Sequence, residues 1–390
     1  MANTLVAVSH TFLCSPEAAS RALAASISRK LNSARPDVLI VFASPEIDYQ
    51  PLLAALEAAC QPRVLVGCSS AGEFSGCATG NSSVSVMAIR SDDMLFRAGL
   101  GKGLRQDFSG ALEQVMPVFT GSDRPDFPYR SALVLTDALA GYVDEIIHKM
   151  MLRTGGTYQL FGGGAADDAK FSQTHVFIGT EAHTDAIVVL EMLSKKPVGL
   201  GVRHGWKPGS PPLRVTEAQG TRLISLNATS AVEAFEEHAH ATGQTFNRAD
   251  TLPFFLHNVI GIDTGDGYKL RVPLTLNDDG SISCAAEVPV GATVHIMVSD
   301  SASACEAARE AARAALAGLE GCGHAGSLLF DCAATRLRLG RGFDDELKAV
   351  GEALGSENFA GCNTYGQIAR STGQFSGFHN CTAVVCAIPL

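Results

Sequence analysis

The densest group of chemically capable side chains is Gly361-Cys362-Asn363-Thr364-Tyr365-Gly366-Gln367-Ile368, followed closely by Gly377-Phe378-His379-Asn380. A thiol, amides, hydroxyls and an imidazole lie within twenty residues there. Glycines between them let backbone N–H groups approach a guest molecule without a Cβ in the way. That composition suits a loop binding a small ligand. A similar run, Val66-Gly67-Cys68-Ser69-Ser70-Ala71-Gly72-Glu73-Phe74, and a more distant one, Phe161-Gly162-Gly163-Gly164-Ala165-Ala166-Asp167-Asp168, occur earlier in the chain. Aligning their first glycines puts Cys68, Gly163 and Cys362 in register, and then Glu73, Asp168 and Gln367.

Several chemistries are open to these residues. Cys362, with His379 nearby in sequence, has the residue types of a cysteine-dependent hydrolase or transferase. The glycine at the matching position of one copy speaks instead for cysteines packed at strand ends. Glu73, Asp167 and Asp168 could act as acids or bases, or anchor a cationic ligand. Gln367 is neutral, so no charge-dependent chemistry is common to all three runs. His204 and His257 each end a strand-like run and could ligate haem if an apolar pocket held one. His238 and His240 are two apart on a helical stretch and point to different faces, and no HExxH or CxxC spacing occurs. Gly162-Gly163-Gly164 follows a strand as a phosphate loop would, but two carboxylates come next and no clear helix opens there.

The elements that position these runs repeat with them. Apolar strand-like segments at 38–42, 132–136 and 328–330 precede each run, helical stretches at 49–59, 142–152 and 343–354 intervene, and strands at 84–89, 186–190 and 382–388 follow. One step earlier come strand and helix pairs at 5–8 and 18–31, 96–100 and 108–119, and 293–298 and 302–319. This is an internal triplication. It predicts an α/β fold with mixed sheets, built from three strand-helix-strand-helix-strand-loop-strand units. A β-rich segment around 198–292 reads as an insertion, with strands at 253–261, 268–276 and 281–288 and a hairpin turn at Asp278-Asp279-Gly280. The chain has 390 residues, 46% apolar, and a net charge of −10 with no long basic run, which argues against nucleic acid or an anionic membrane surface as partner. No apolar run is long enough to span a bilayer and the N-terminus lacks a signal-peptide pattern. With eleven scattered cysteines, the expectation is a cytoplasmic protein with free thiols.

Residues 38–44, Gly67–Phe74 as spelled out above, 162–168, His204-Gly205-Trp206-Lys207-Pro208, Thr364-Tyr365-Gly366 and Phe378-His379-Asn380-Cys381-Thr382 together resemble the FIST family over nearly the whole chain. The resemblance implies an N-terminal FIST domain over 1–220 and a C-terminal one over 221–390. It implies a sensory module of bacterial signal transduction that binds a small molecule, amino acids or related metabolites being proposed for the family. A subgroup of stand-alone members binds haem, senses nitric oxide and regulates a histidine kinase. No transmitter or receiver segment is evident here, so output would pass through a separate protein. The expected ligand-binding residues are Cys68, Ser69, Ser70, Glu73, Cys362, Asn363, Thr364, Tyr365, Gln367, His379 and Asn380, with no catalytic residue assigned. The sequence departs from the family pattern at Gln367, where Glu usually follows Tyr-Gly. An amine-bearing ligand would lose a charge-assisted contact there.

Overall fold

Residues 38–43 and 383–389 are buried along their whole length, as strands covered on both faces must be. A computed structural model, describing residues 3–12, 15–370 and 376–390, shows how such strands combine. Unit 1 runs through strand Thr4–Thr11, helix Pro16–Lys30, strand Val38–Ala43, helix Tyr49–Cys60, strand Val64–Ser69, a hairpin (Glu73–Ser75 and Ala78–Gly80) and a closing strand, Val84–Ser91. In its sheet the second and third strands are parallel, and the closing strand lies antiparallel between the first and second. Unit 2 repeats this with Met94–Lys102, Tyr129–Asp137, Gln159–Ala165 and Ala186–Ser194. Unit 3 does so with Gly199–Arg203, His324–Cys332, Phe359–Thr364 and Ala383–Pro389.

The hairpins tie the units into a ring. The hairpin of unit 2 (Val176–Ile178 and Glu181–His183) pairs with the third strand of unit 1. That of unit 3 (Gln367–Arg370 and Ser376–His379) pairs with the third strand of unit 2, and that of unit 1 with the third strand of unit 3. The three sheets turn one face to a shared core in which Phe42, Phe161 and Phe330 meet, with ring centroids 5.6 Å and 6.4 Å from Phe330. Helices cover the other faces in separate clusters. The glycine opening each run has a packing cause. A Cβ at Gly67, Gly162 or Gly361 would lie 1.9, 2.1 or 2.0 Å from the carbonyl oxygen of Val41, Val134 or Leu329 on the neighbouring strand. No other residue permits that approach.

Two expectations need correction. The first strand of unit 3 is Gly199–Arg203, not 293–298, and the inserted module therefore lies between Arg203 and Ser301 rather than around 198–292. The reason is close packing. Gly199 and Gly201 meet the backbone of Ala315 and Ala311 on helix Ser301–Ala317, where any Cβ would clash, so that strand is glycine-rich and short, unlike the first strands of units 1 and 2. Strand Thr293–Val298 belongs instead to the nine-stranded sheet of the module. Within 253–261, Leu252–Phe255 is a short helix with proline in its first turn, and the strand is Val259–Asp263. Phe235, Phe255, Ile260 and Ile296 help fill the module's own core.

Candidate functional site

The three glycine runs sit at the C-terminal ends of the parallel strands, where open α/β sheets commonly place ligands. They bond to one another in a cycle. Ala166 N–H donates to Ser69 O at 3.0 Å, Tyr365 N–H to Gly164 O at 2.9 Å, and Ala71 N–H to Asn363 O at 2.9 Å. Ala71 and Ala166 pack together beneath Ala333, with Tyr365 against them.

Most of the expected ligand-binding residues lie inside this ring rather than on a cavity wall. Cys68 and Cys362 are fully buried in the central core. Burial, together with the adjacent Cys68 thiol, pushes Cys362 well above the usual thiol range, which leaves it without the thiolate a nucleophile needs. Ser69 Oγ accepts from His175 N–H at 2.9 Å. Ser70 Oγ donates to Glu73, whose other oxygen accepts from Ser83 Oγ at 2.6 Å. Burial raises the Glu73 carboxyl to about 7. Gln367 repeats this arrangement in unit 3: it donates to Thr364 Oγ1 at 2.9 Å and accepts from Thr382 N–H at 3.3 Å.

The register with Asp168 does not hold. Glu73 faces Cys362 and Gln367 faces Gly163 across the ring, but the residue facing Cys68 is Val176. Unit 2 carries extra residues before its hairpin, and Asp167 organises them. Its carboxylate accepts from Phe171, Ser172 and Gln173 N–H at 2.7–2.9 Å and from the Tyr365 hydroxyl. His379 is buried, and that burial, with Lys269 and Arg271 nearby, brings its imidazole down to about 3.

Thr364, Tyr365 and Asn380 do reach a cavity, of about 440 Å3. One wall is the turn at the C-terminal end of Tyr129–Asp137, from Ala138 to Glu145. The opposite wall comes from the inserted module, including Leu252, Leu256, Val272, Leu274 and Ala286, and the floor from Cys332, Ala333 and Thr364–Gly366. Tyr142, Phe171, Leu252 and Leu337, all lining it, are 40–50% exposed and form an apolar rim. Phe171 stacks on Tyr365, with centroids 4.5 Å apart and planes 10° from parallel. The module is latched across the cavity by Arg271, which donates to Asp144 at 2.7 Å and to Phe378 O at 3.1 Å, and by Val272 N–H, which donates to Asn380 Oδ1 at 3.3 Å. Arg271 and Lys269 hold Asp144 below the usual carboxylate range although its burial opposes them.

Beyond Ala333 and Leu337 lies a second, more polar cleft of about 510 Å3, lined by Asn81, Asp168, Arg336, Arg341 and Asp344. Arg336 crosses it, donating to Asn81 Oδ1 at 2.8 Å and Asn363 Oδ1 at 3.1 Å. Asn363 is thereby used as an anchor.

The histidines named for haem do not fit that role. His204 Nδ1 accepts from Trp206 N–H at 3.3 Å and Nε2 donates to Tyr268 O at 3.0 Å, so neither nitrogen has a lone pair free for iron. His257 is exposed beyond the short helix and does not line the cavity. The sequence reading missed Arg336, Asp144, Arg271, Phe171 and Cys332. Only the apolar-to-charged contrast of Leu270-Arg271-Val272 marked any of them.

The chain is a pseudo-threefold α/β ring with an inserted module closing a pocket over its strand ends. The family model for the FIST N domain matches residues 37–229 and that for the FIST C domain residues 231–370, and the chain belongs to the FIST family. FIST domains are sensory domains of signal transduction. Two uncharacterized proteins from strains of Mycobacterium tuberculosis, MT0656 and Rv0628c, are each 24% identical over 341 residues, covering 85% of this chain and 85% of their own. Among solved structures, T. maritima PurL complexed with AMPPCP aligns over 98% of this chain and 72% of its own at 12% identity. The TM-score of 0.23 defines no common fold. No helix among the described residues is long and apolar enough to cross a membrane.

Proposed function

We propose that this protein is a small-molecule sensor of bacterial signal transduction, working in the cytoplasm and passing its state to a separate protein such as a histidine kinase. The observation that carries this reading is the 440 Å3 cavity closed between the ring and the inserted module. A guest there touches both halves, and its occupancy therefore alters how the module sits over Tyr365 and Phe378. Only such differential contact lets a ligand shift a conformational equilibrium. The wall is mainly apolar. Its charged residues are Asp144, Glu145 and Glu287, with no Lys, Arg or His among the described lining residues, a setting that favours neutral or cationic organic guests over anions. Occupancy by such a guest is the role this wall supports.

The neutral fluorophore N-phenyl-1-naphthylamine tests it. Uptake with enhanced emission is expected, together with loss of most of that signal in Ala286→Phe, which fills the cavity from the module side. Unchanged emission in the variant would remove the site from consideration.

A further inference from the structure

Cys332 lines the floor of this cavity and shares a buried cluster with Cys381. The Cys381 side chain and backbone, the Ala334 backbone and the Gln367 side chain favour its thiolate over its thiol. The two cysteines come from different segments. Cys332 ends the second strand of unit 3, and Cys381 sits between hairpin and closing strand in the left-handed region at φ 50°. They share a buried cluster with Trp206, Val272 and Met297. The remaining buried thiols, including Cys362 and Cys386, have no such access, since none of them lines a described cavity that an organic molecule could enter.

We propose that Cys332 and Cys381 form a dithiol site at which organic hydroperoxides of apolar body, admitted by the cavity, are reduced once and recorded as a disulfide. The Cys332 thiolate attacks the outer oxygen of ROOH. The O–O bond breaks, its electron pair leaves on RO⁻, which takes a proton to give ROH, and Cys332 becomes a sulfenic acid. Cys381 then attacks the sulfenic sulfur and the S–O bond breaks. The departing hydroxide takes the Cys381 proton and leaves as water. Two thiols and one hydroperoxide become one disulfide, one alcohol and one water, the two electrons passing from sulfur to oxygen. These neighbours bear on the first step because the thiolate is the attacking species. Hydrogen bonding from Cys381, more than any other cause, draws the Cys332 thiol down to about 6, while Cys381 itself is raised. Acidic neighbours do not cancel this. Asp331 is pushed far up by burial and holds its proton toward Glu346, while Arg338 faces both Glu346 and Cys381.

This inference rests on the cavity receiving organic molecules, and one experiment separates the two. The full chain is treated with cumene hydroperoxide or hydrogen peroxide, quenched with an alkylating agent, and mapped by mass spectrometry. Expected are loss of alkylation at the 332 and 381 peptides only, a mass two hydrogens lighter, and oxidation roughly tenfold faster with cumene hydroperoxide. Cys381→Ser should stop at a sulfenic acid trapped by dimedone. Cys332 alkylated and oxidised no faster than Cys362 in the unmutated chain, or equal rates with the two peroxides, would overturn the proposal. In the first case, continued uptake of N-phenyl-1-naphthylamine would leave the binding site standing.

Discussion

The glycine runs of units 1 and 3 are the same device put to different uses. In both, a side chain six residues after the opening glycine is buried and hydrogen-bonded to a hydroxyl three residues back. In both, it also contacts the residue preceding the closing strand. Unit 1 has Glu73 there and unit 3 has Gln367. Unit 1's loop tip is Ala71 and its hairpin edges the polar Arg336 cleft, whereas unit 3 has Tyr365 and floors the apolar cavity. The ring geometry is thus carried by what the copies share, and the site by what they do not. The module inserted in unit 3 supplies the second wall.

The largest expected effect probes what is shared. Phe330→Ala removes the ring at the meeting point of the three sheets and should cost about 3–5 kcal/mol in denaturant unfolding. A loss below about 1 kcal/mol would mean the sheets do not share one core. Nearly as large is Asp144→Asn, which leaves the buried Arg271 without its anion. The expected cost is about 3 kcal/mol, with earlier proteolysis inside 204–300 as its local sign.

The Glu73–Gln367 difference gives a pH test. Glu73 has a raised pKa in the fold, about 7 against 4.5. The folded state therefore holds a proton that the unfolded chain has lost between those values. Its ionisation takes stability away as pH rises from about 4.5 to 7, by about 3 kcal/mol in all. Glu73→Gln copies unit 3 into unit 1 and should match the unmutated protein near pH 4.5. It should exceed it by up to about 3 kcal/mol at pH 8. Gln367→Glu should show the opposite, a stability falling over the same window. Urea midpoints at pH 5 and pH 8 decide both, and parallel pH curves would contradict the assigned burial.

Sequence alone revealed the three repeated runs because their constraints are local. A backbone approach that admits no Cβ leaves a glycine, and a buried polar group needing a partner leaves Ser or Thr three residues before Glu or Gln. Both recur at fixed spacing. The site was far less legible because its contacts cross the chain. Thr364, Tyr365 and Asn380 were singled out, yet their cavity depends on Ala138–Glu145 and on a module whose residues carry no motif. Cys332 meets Cys381 only after a strand, two helices and a hairpin intervene. The strand Gly199–Arg203 was assigned to the inserted segment instead of to unit 3, since glycines that dock it on its helix resemble no other unit's first strand. Asp168 was misaligned because a longer loop, held by Asp167, moves Val176 into its place.

Tyr365→Phe, the smallest change, sharpens what unit 3 gained at its loop tip. Its hydroxyl donates to an Asp167 carboxylate that also accepts from Phe171, Ser172 and Gln173. Removing one donor of several leaves the loop organised, so a cost of about 1 kcal/mol is expected. The stack on Phe171 depends on the ring and not the oxygen. N-phenyl-1-naphthylamine affinity should therefore stay within roughly twofold, as the apolar wall is unchanged. A large loss of affinity with little loss of stability would instead place the hydroxyl itself in contact with the guest, and unit 3 would then differ from unit 1 by a polar contact rather than by an aromatic wall.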